Sequence, residues 1–154
     1  MTDDGPRPDG FLQNYTLFLM ALASAQISHS FHRIAAAQGL SVPEWRVLAC
    51  LHDLGQATVS ELARLALLEQ SRLTHLIGRI QARGLVRRHR DSKNRRSVLV
   101  RLTPEGATLA ADLVAQAKQH EQQTVIARLG QAETETLHAI LRKLMTRPAD
   151  QTSA

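Results

Sequence analysis

The sequence is short of aromatic side chains, of cysteine and of long apolar runs, and each shortage removes a class of protein. One Trp, one Tyr and three Phe make up 3% of the 154 residues, which argues against the aromatic platforms on which single-stranded nucleic acids stack. A lone cysteine, Cys50, cannot close an internal disulfide, which fits a reducing cytoplasm. Apolar stretches are broken by polar or charged residues well before 18 positions, so no membrane span is expected. The opening MTDDGPRPDG is acidic and rich in Pro and Gly rather than basic and then apolar, so it does not read as a signal peptide. No Gly-rich phosphate loop, nucleophile motif or zinc motif is recognisable, so no catalytic residue, cofactor or metal site is expected.

Acidic charge is also scarce, but only locally. From Arg72 to Arg101 there are nine Arg and one Lys, at positions 72, 79, 83, 87, 88, 90, 93, 95, 96 and 101, against Asp91 as the single acid. Ten of the chain's 19 basic residues thus lie in 30 positions, within a formal net charge of +5. Charge gathered in one segment describes a defined surface for phosphate rather than general stickiness. The remaining composition, 44% hydrophobic, is that of a globular domain, and a chain of this length buries roughly 70% of its unfolded surface.

In order along the chain, residues 1–10 read as disordered. A helical pattern runs from Phe11 to about Gln38 through Leu12, Phe18, Leu19, Ala23, Ile27, Phe31 and Ile34, and Gly39 stops it. Two capping boxes follow, SVPE at Ser41–Glu44 and TVSE at Thr58–Glu61, each with a hydroxyl at the N-cap and a carboxylate three residues on. The first opens a helix ending near Gly55, and the second a short helix through Leu62, Leu65 and Ala66. After a polar break at Glu69–Gln70 comes a helix with Leu73, Leu76, Ile77 and Ile80 on one face, and Arg72, His75, Arg79 and Arg83 off it. A short turn between two helices describes a helix-turn-helix, whose second helix has the size of a major groove. Beyond Gly84, Leu85–Arg90 and Arg96–Leu102 read as the strands of a hairpin. TPEG at Thr103–Gly106 restarts a helix expected to reach Leu129, Gly130 breaks it, and a last helix covers about Glu133 to Met145. Residues 147–154 read as a frayed tail.

The phrases VPEWRVLACL, TVSELARLALL, SRLTHLIGRIQARGLVRR and DSKNRRSVLVRLTPEG, in this order, resemble the MarR (multiple antibiotic resistance regulator) family of winged-helix transcription factors over about residues 11–145. The fold that follows is mainly α with a small β-hairpin. Residues 41–102 would form a winged helix-turn-helix DNA-binding domain, and residues 11–38 and 103–146 the long dimerisation helices. The resemblance implies a homodimer, a repressor on a pseudo-palindromic double-stranded DNA operator. Ser71, Arg72, Thr74, His75 and Arg79 fall where the family's recognition residues fall, with Lys93, Arg95 and Arg96 at the hairpin tip in the flanking minor groove. Hydroxyls and arginines early in such a helix reach phosphate or a guanine edge, and paired arginines suit a narrow minor groove. Arg88 and Asp91 would support the wing. Asn94 stands where the family commonly carries a second aspartate, which leaves Asp91 to serve alone. For Arg79 and Arg83 the plain alternative is a solvated helix face.

The resemblance also implies release by a small anionic or phenolic effector, an aromatic or carboxylate compound, held by Ser28, His32, Trp45 and Arg46. Trp45 would stack on an aromatic ring and Arg46 hold a carboxylate. The plain alternatives are core packing for Trp45 and a structural ion pair for Arg46. Cys50, at helical spacing among Val47, Leu51 and Leu54, reads as an inert buried thiol, and His29 and His32 lack a third ligand. Redox or metal sensing therefore stands behind effector release. The reading of another class is a non-catalytic winged-helix module that binds protein or RNA.

Overall fold

The computed structural model describes residues 10–90 and 97–145. Among these described residues seven α-helices, one π-helical segment and three short strands follow one another: α1 (Phe11–Asn14), α2 (Thr16–Ala37), α3 (Val42–Leu54), β1 (Gln56–Thr58), α4 (Val59–Ala66), α5 (Gln70–Ala82), β2 (Val86–Arg90), β3 (Val98–Leu102), α6 (Pro104–Glu121), the π-helical Gln122–Ile126, and α7 (Ala127–Met145). The chain divides into two compact units, one ending at Ala117 and the other beginning at Lys118.

The first unit is built on the local signals the sequence carries. At the start of α3 the Glu44 carboxylate accepts from the Ser41 backbone N–H at 2.7 Å and from its hydroxyl at 2.8 Å. At the start of α4, Glu61 accepts from the Thr58 N–H and hydroxyl at 2.8 Å each, and the Glu61 N–H donates back to Thr58 Oγ1 at 3.2 Å. Each box satisfies backbone groups that a helix N-terminus leaves without partners. Gly39, Gly55 and Gly84 end helices at φ of 70°, 74° and 74°, the left-handed region that a side chain disfavours. Below these frames lies one apolar core. Val47, Leu48 and Leu51 of α3, Leu62 and Ala66 of α4, and Leu73, Leu76, Ile77 and Ile80 of α5 meet Val86, Val100, Ala110 and Leu113 there.

Three expectations need correction in this unit. The helix over residues 11–38 is interrupted at Tyr15, whose backbone is extended (φ −86°, ψ 105°) between α1 and α2. The Tyr15 ring stacks on Phe11 with centroids 4.9 Å apart, a contact that accompanies the turn. The sheet has a third strand: β1 pairs antiparallel with β3, so the order is β1-β3-β2 rather than a bare hairpin. Three residues carry no period to read, and β1 exists because β3 supplies its hydrogen bonds. The two wing strands are also shorter than expected, beginning at Val86 and Val98. On β3, Val100 is buried and Val98 exposed, so of these two described residues it is the one nearer the base of the wing that packs into the core.

The second unit corrects a fourth expectation. The helix does not run unbroken to Leu129; it passes into a π-helical turn at Gln122–Ile126, which adds a residue per turn and re-aims the side chains beyond it. Gly130 then breaks the helix as expected, with φ 76° and ψ 168°. Thr134 is buried, and its hydroxyl donates to Gly130 O at 2.8 Å. His138 Nε2 lies 3.4 Å from a Glu121 carboxylate oxygen.

Both units leave apolar side chains in solvent. In α1 and α2 these include Phe11, Leu12, Leu17, Leu19 and Leu22; in α7 they include Leu137, Ile140, Leu144 and Met145. Exposed apolar residues of this kind, repeated along one helix, form a patch suited to an interaction surface. No helix of the described residues is long and apolar enough to cross a membrane.

Candidate nucleic-acid interface

The side chains of α5 divide cleanly. Leu73, Leu76, Ile77 and Ile80 are buried to within 3% and anchor the helix in the core. Ser71, Arg72, Thr74, His75, Gly78 and Arg79 are all exposed. The helix is 13 residues long, about 20 Å at 1.5 Å per residue, and of a diameter that a major groove admits. Its N-cap is Glu69, which makes no side-chain capping bond. The positive end of the helix dipole lies at this terminus, near the exposed Arg72, an arrangement that favours an anion.

Two grooves flank this face. One, of about 240 Å³, is lined by Pro43, Leu68, Arg72, His75, Leu76 and Arg79, so cationic and imidazole groups stand over an apolar floor. The other, of about 300 Å³, is polar, and brings Thr58, Val59 and Ser60 at the start of α4 together with Gln70 and Thr74 of α5 and Ser97 and Val98 of the wing. The starts of α4 and α5 and the wing thus share one surface. The Thr74 hydroxyl donates to Gln70 O at 2.9 Å, which leaves its oxygen as an acceptor toward that surface. Arg88 reaches from β2 to α5, with Nη2 donating to Thr74 O at 3.1 Å, and so ties the wing to the middle of the helix. Of the residues expected at the wing, Asp91, Lys93, Asn94, Arg95 and Arg96 lie outside the described residues.

Arg83 is not part of this face. Its guanidinium donates to Gly39 O at 2.8 Å and Gln38 O at 3.4 Å, a tie across 44 and 45 residues that no local pattern signals. A second tie is equally hidden in sequence. Thr103, expected only as an N-cap, accepts from the Gly106 N–H at 3.0 Å, while its own hydroxyl donates to Gly84 O at 2.6 Å and its N–H to Leu85 O at 3.1 Å.

The expected effector residues are spread over two helices. Ser28 and His32 are half-buried on α2, and Trp45 is half-buried on α3. The Trp45 ring meets Phe31 edge-on with centroids 5.0 Å apart, which places it beside the turn of α2 that carries Ser28 and His32. Arg46 is exposed. Burial, and then the negative charge of Asp53, push the Cys50 thiol above its ordinary pKa, so the reactive thiolate is disfavoured. Among the described residues no group of three or more His, Cys, Asp or Glu side chains is placed to hold a metal ion.

Known proteins share this arrangement. The sequence pattern of the MarR family matches residues 40–98, the stretch from α3 through the wing. The organic hydroperoxide resistance transcriptional regulator of Bacillus subtilis (strain 168) is 28% identical over 98 residues, covering 64% of this chain and 67% of the relative. A MarR family transcriptional regulator from Silicibacter pomeroyi DSS-3 superposes with a TM-score of 0.70 at 44% identity, over 86% of this chain and 99% of that one. BpsR of Bordetella bronchiseptica, whose DNA binding is regulated by 6-hydroxynicotinic acid, superposes with a TM-score of 0.77 at 27% identity, over 92% of this chain and all of the other. With the helix-turn-helix, the three-stranded sheet that carries the wing and the exposed basic helix in place, the chain belongs to the MarR family of winged helix-turn-helix, DNA-binding transcriptional regulators.

Proposed function

We propose that two copies of the chain bind a pseudo-palindromic operator in the cytoplasm and repress transcription there. In each copy α5 enters a major groove, with Ser71, Arg72, Thr74, His75 and Arg79 toward base edges and phosphates. The segment carrying Lys93, Arg95 and Arg96 enters the flanking minor groove, with Arg88 and Asp91 supporting the wing. The observation that carries this reading is the exposed, uncapped and cationic face of α5, continuous with two grooves and anchored from behind by four buried apolar residues. The uncovered apolar side chains of α1, α2 and α7 support dimerisation, with residues 11–38 and 103–146 as the dimerisation helices.

Release follows from a small aromatic or carboxylate effector bound near Ser28, His32, Trp45 and Arg46. The regulation of BpsR by a hydroxylated aromatic carboxylate supports that chemical class. Such a ligand acts by binding one dimer geometry better than the other. Gel shifts with the duplex upstream of the chain's own gene test the reading, with and without aryl carboxylates and phenols. A dimer that neutralises about 8 phosphates shows a slope of log K against log salt of roughly −7. Equal affinity for scrambled duplex removes the operator reading, and retention of DNA in every compound removes the effector.

A further inference from the structure

Three consecutive residues at the C-terminal end of α5 fasten it to two other elements. On one side is the end of α2. There the N–H groups of Gln38, Gly39 and Leu40 turn back onto Ala35 and Ala36 carbonyls, and the carbonyls of Gln38 and Gly39 point on past the last turn. Arg83 closes over them with two nitrogens of one guanidinium. The negative end of a helix dipole attracts a cation, and the planar fork meets two successive carbonyls, which a lysine point charge cannot do in the same way. On the other side is the start of α6, where Thr103 holds the Gly84 and Leu85 carbonyls. The α-carbon of Gly106 also lies so close to Leu85 that a Cβ built on it falls 1.9 Å from Leu85 O. Between these two ties α5 has little freedom to turn without α2 or α6.

We propose that Arg83 is a positioning residue for DNA reading: by binding the two carbonyls just beyond the last turn of α2 it makes the orientation of α5 follow that of the long N-terminal helix. The inference rests on the reading of α5 as the DNA-reading helix. It removes Arg83 from the phosphate contacts that its place in the basic segment suggests. It also supplies a route by which a ligand beside α2 changes operator affinity, because rigid elements joined at their ends move together.

The test is operator and random-duplex binding across a salt series for the wild type, Arg83→Met, Gly39→Ala and the double variant. Gly39→Ala disturbs the acceptor side without altering charge: the glycine has φ 70°, and an added Cβ would lie 3.5 Å from Arg83 Nη2. The expected result is a loss of about tenfold in operator affinity for Arg83→Met, with random-duplex affinity and salt slope kept. Gly39→Ala should weaken operator binding in the same direction, and the double variant should lose less than the product of the two, the mark of coupled residues. A phosphate contact would instead flatten the slope by about 1.8 per dimer, at roughly 0.9 per phosphate, and weaken random duplex equally. That result overturns the inference, as does unchanged operator affinity. Should Arg83→Met fail to fold, Arg83→Lys decides: operator affinity lost despite the retained charge supports positioning, and full retention refutes it. A wild type with no operator preference defeats the underlying reading and the inference together; an operator preference that none of the variants changes defeats the inference alone.

Discussion

Replacing Gly106 by Ala should unseat the junction between α6 and the wing. A Cβ at this position would stand 1.9 Å from Leu85 O, 2.8 Å from Leu85 C and 3.1 Å from Leu85 Cα. These are backbone atoms with no rotamer to give way, so α6 and the start of β2 must separate by more than an ångström. The separation strains the Thr103–Gly84 and Thr103–Leu85 hydrogen bonds, of 2.6 and 3.1 Å, which cross the same gap. Overpacking costs about 1–3 kcal/mol, and the two hydrogen bonds contribute about 1 kcal/mol each. The better helix propensity of Ala returns about 0.5–1 kcal/mol. The net loss is about 2–4 kcal/mol, or a fall in Tm of about 5–15 °C for a protein of this size. Gly78→Ala is the control, since that glycine is helical and meets nothing within 4 Å; it should gain about 0.5–1 kcal/mol. Thermal melts followed by far-UV circular dichroism measure both. A Gly106→Ala protein that melts at or above the wild type would show that α6 and Leu85 do not approach as described.

Other consequences are equally open to measurement. The Thr58 backbone N–H, and then its hydroxyl, hold the Glu61 carboxyl below its ordinary pKa. Its contribution to stability is therefore complete above the unfolded value of about 4.3 and is lost as pH falls through the lowered folded value. Glu61→Gln should accordingly lower Tm at neutral pH, with the gap to the wild type closing in acid; a gap that stays constant with pH contradicts this. Leu67 holds φ 58° while 75% exposed, so Leu67→Gly should relieve left-handed strain and stabilise by about 0.5–1 kcal/mol; a lower Tm would refute it. Cys50 should react with iodoacetamide at neutral pH more slowly in the folded than in the urea-unfolded protein, and equal rates would contradict a half-buried thiol whose pKa is raised.

The parts of the fold that were legible in the sequence are those with a local cause. Ser41 with Glu44 and Thr58 with Glu61 announce their helices because each pair bonds within three residues. Leu73, Leu76, Ile77 and Ile80 announce the buried face of α5 because a helix repeats every 3.6 residues, and with that face the exposed Ser71, Arg72, His75 and Arg79 are determined too. What stayed hidden depends on residues far away. β1 is strand only because β3 lies beside it, and the break at Tyr15 has no Pro or Gly to signal it. The π-helical turn at Gln122–Ile126 is a choice of hydrogen-bond register that its residues, QQTVI, do not announce by any Pro or Gly. Arg83 looks, in sequence, like one more cation of a phosphate-binding stretch; only the fold brings it to Gln38 and Gly39.

A hydroxyl-radical footprint on the duplex upstream of the chain's own gene tests the central proposal most directly. Two recognition helices held by one dimer should protect two inverted half-sites whose centres lie about one turn apart, roughly 10–10.5 base pairs or a multiple of that. Protection of a single half-site, or cleavage suppressed evenly along the duplex, would contradict a dimer that reads a palindrome through α5.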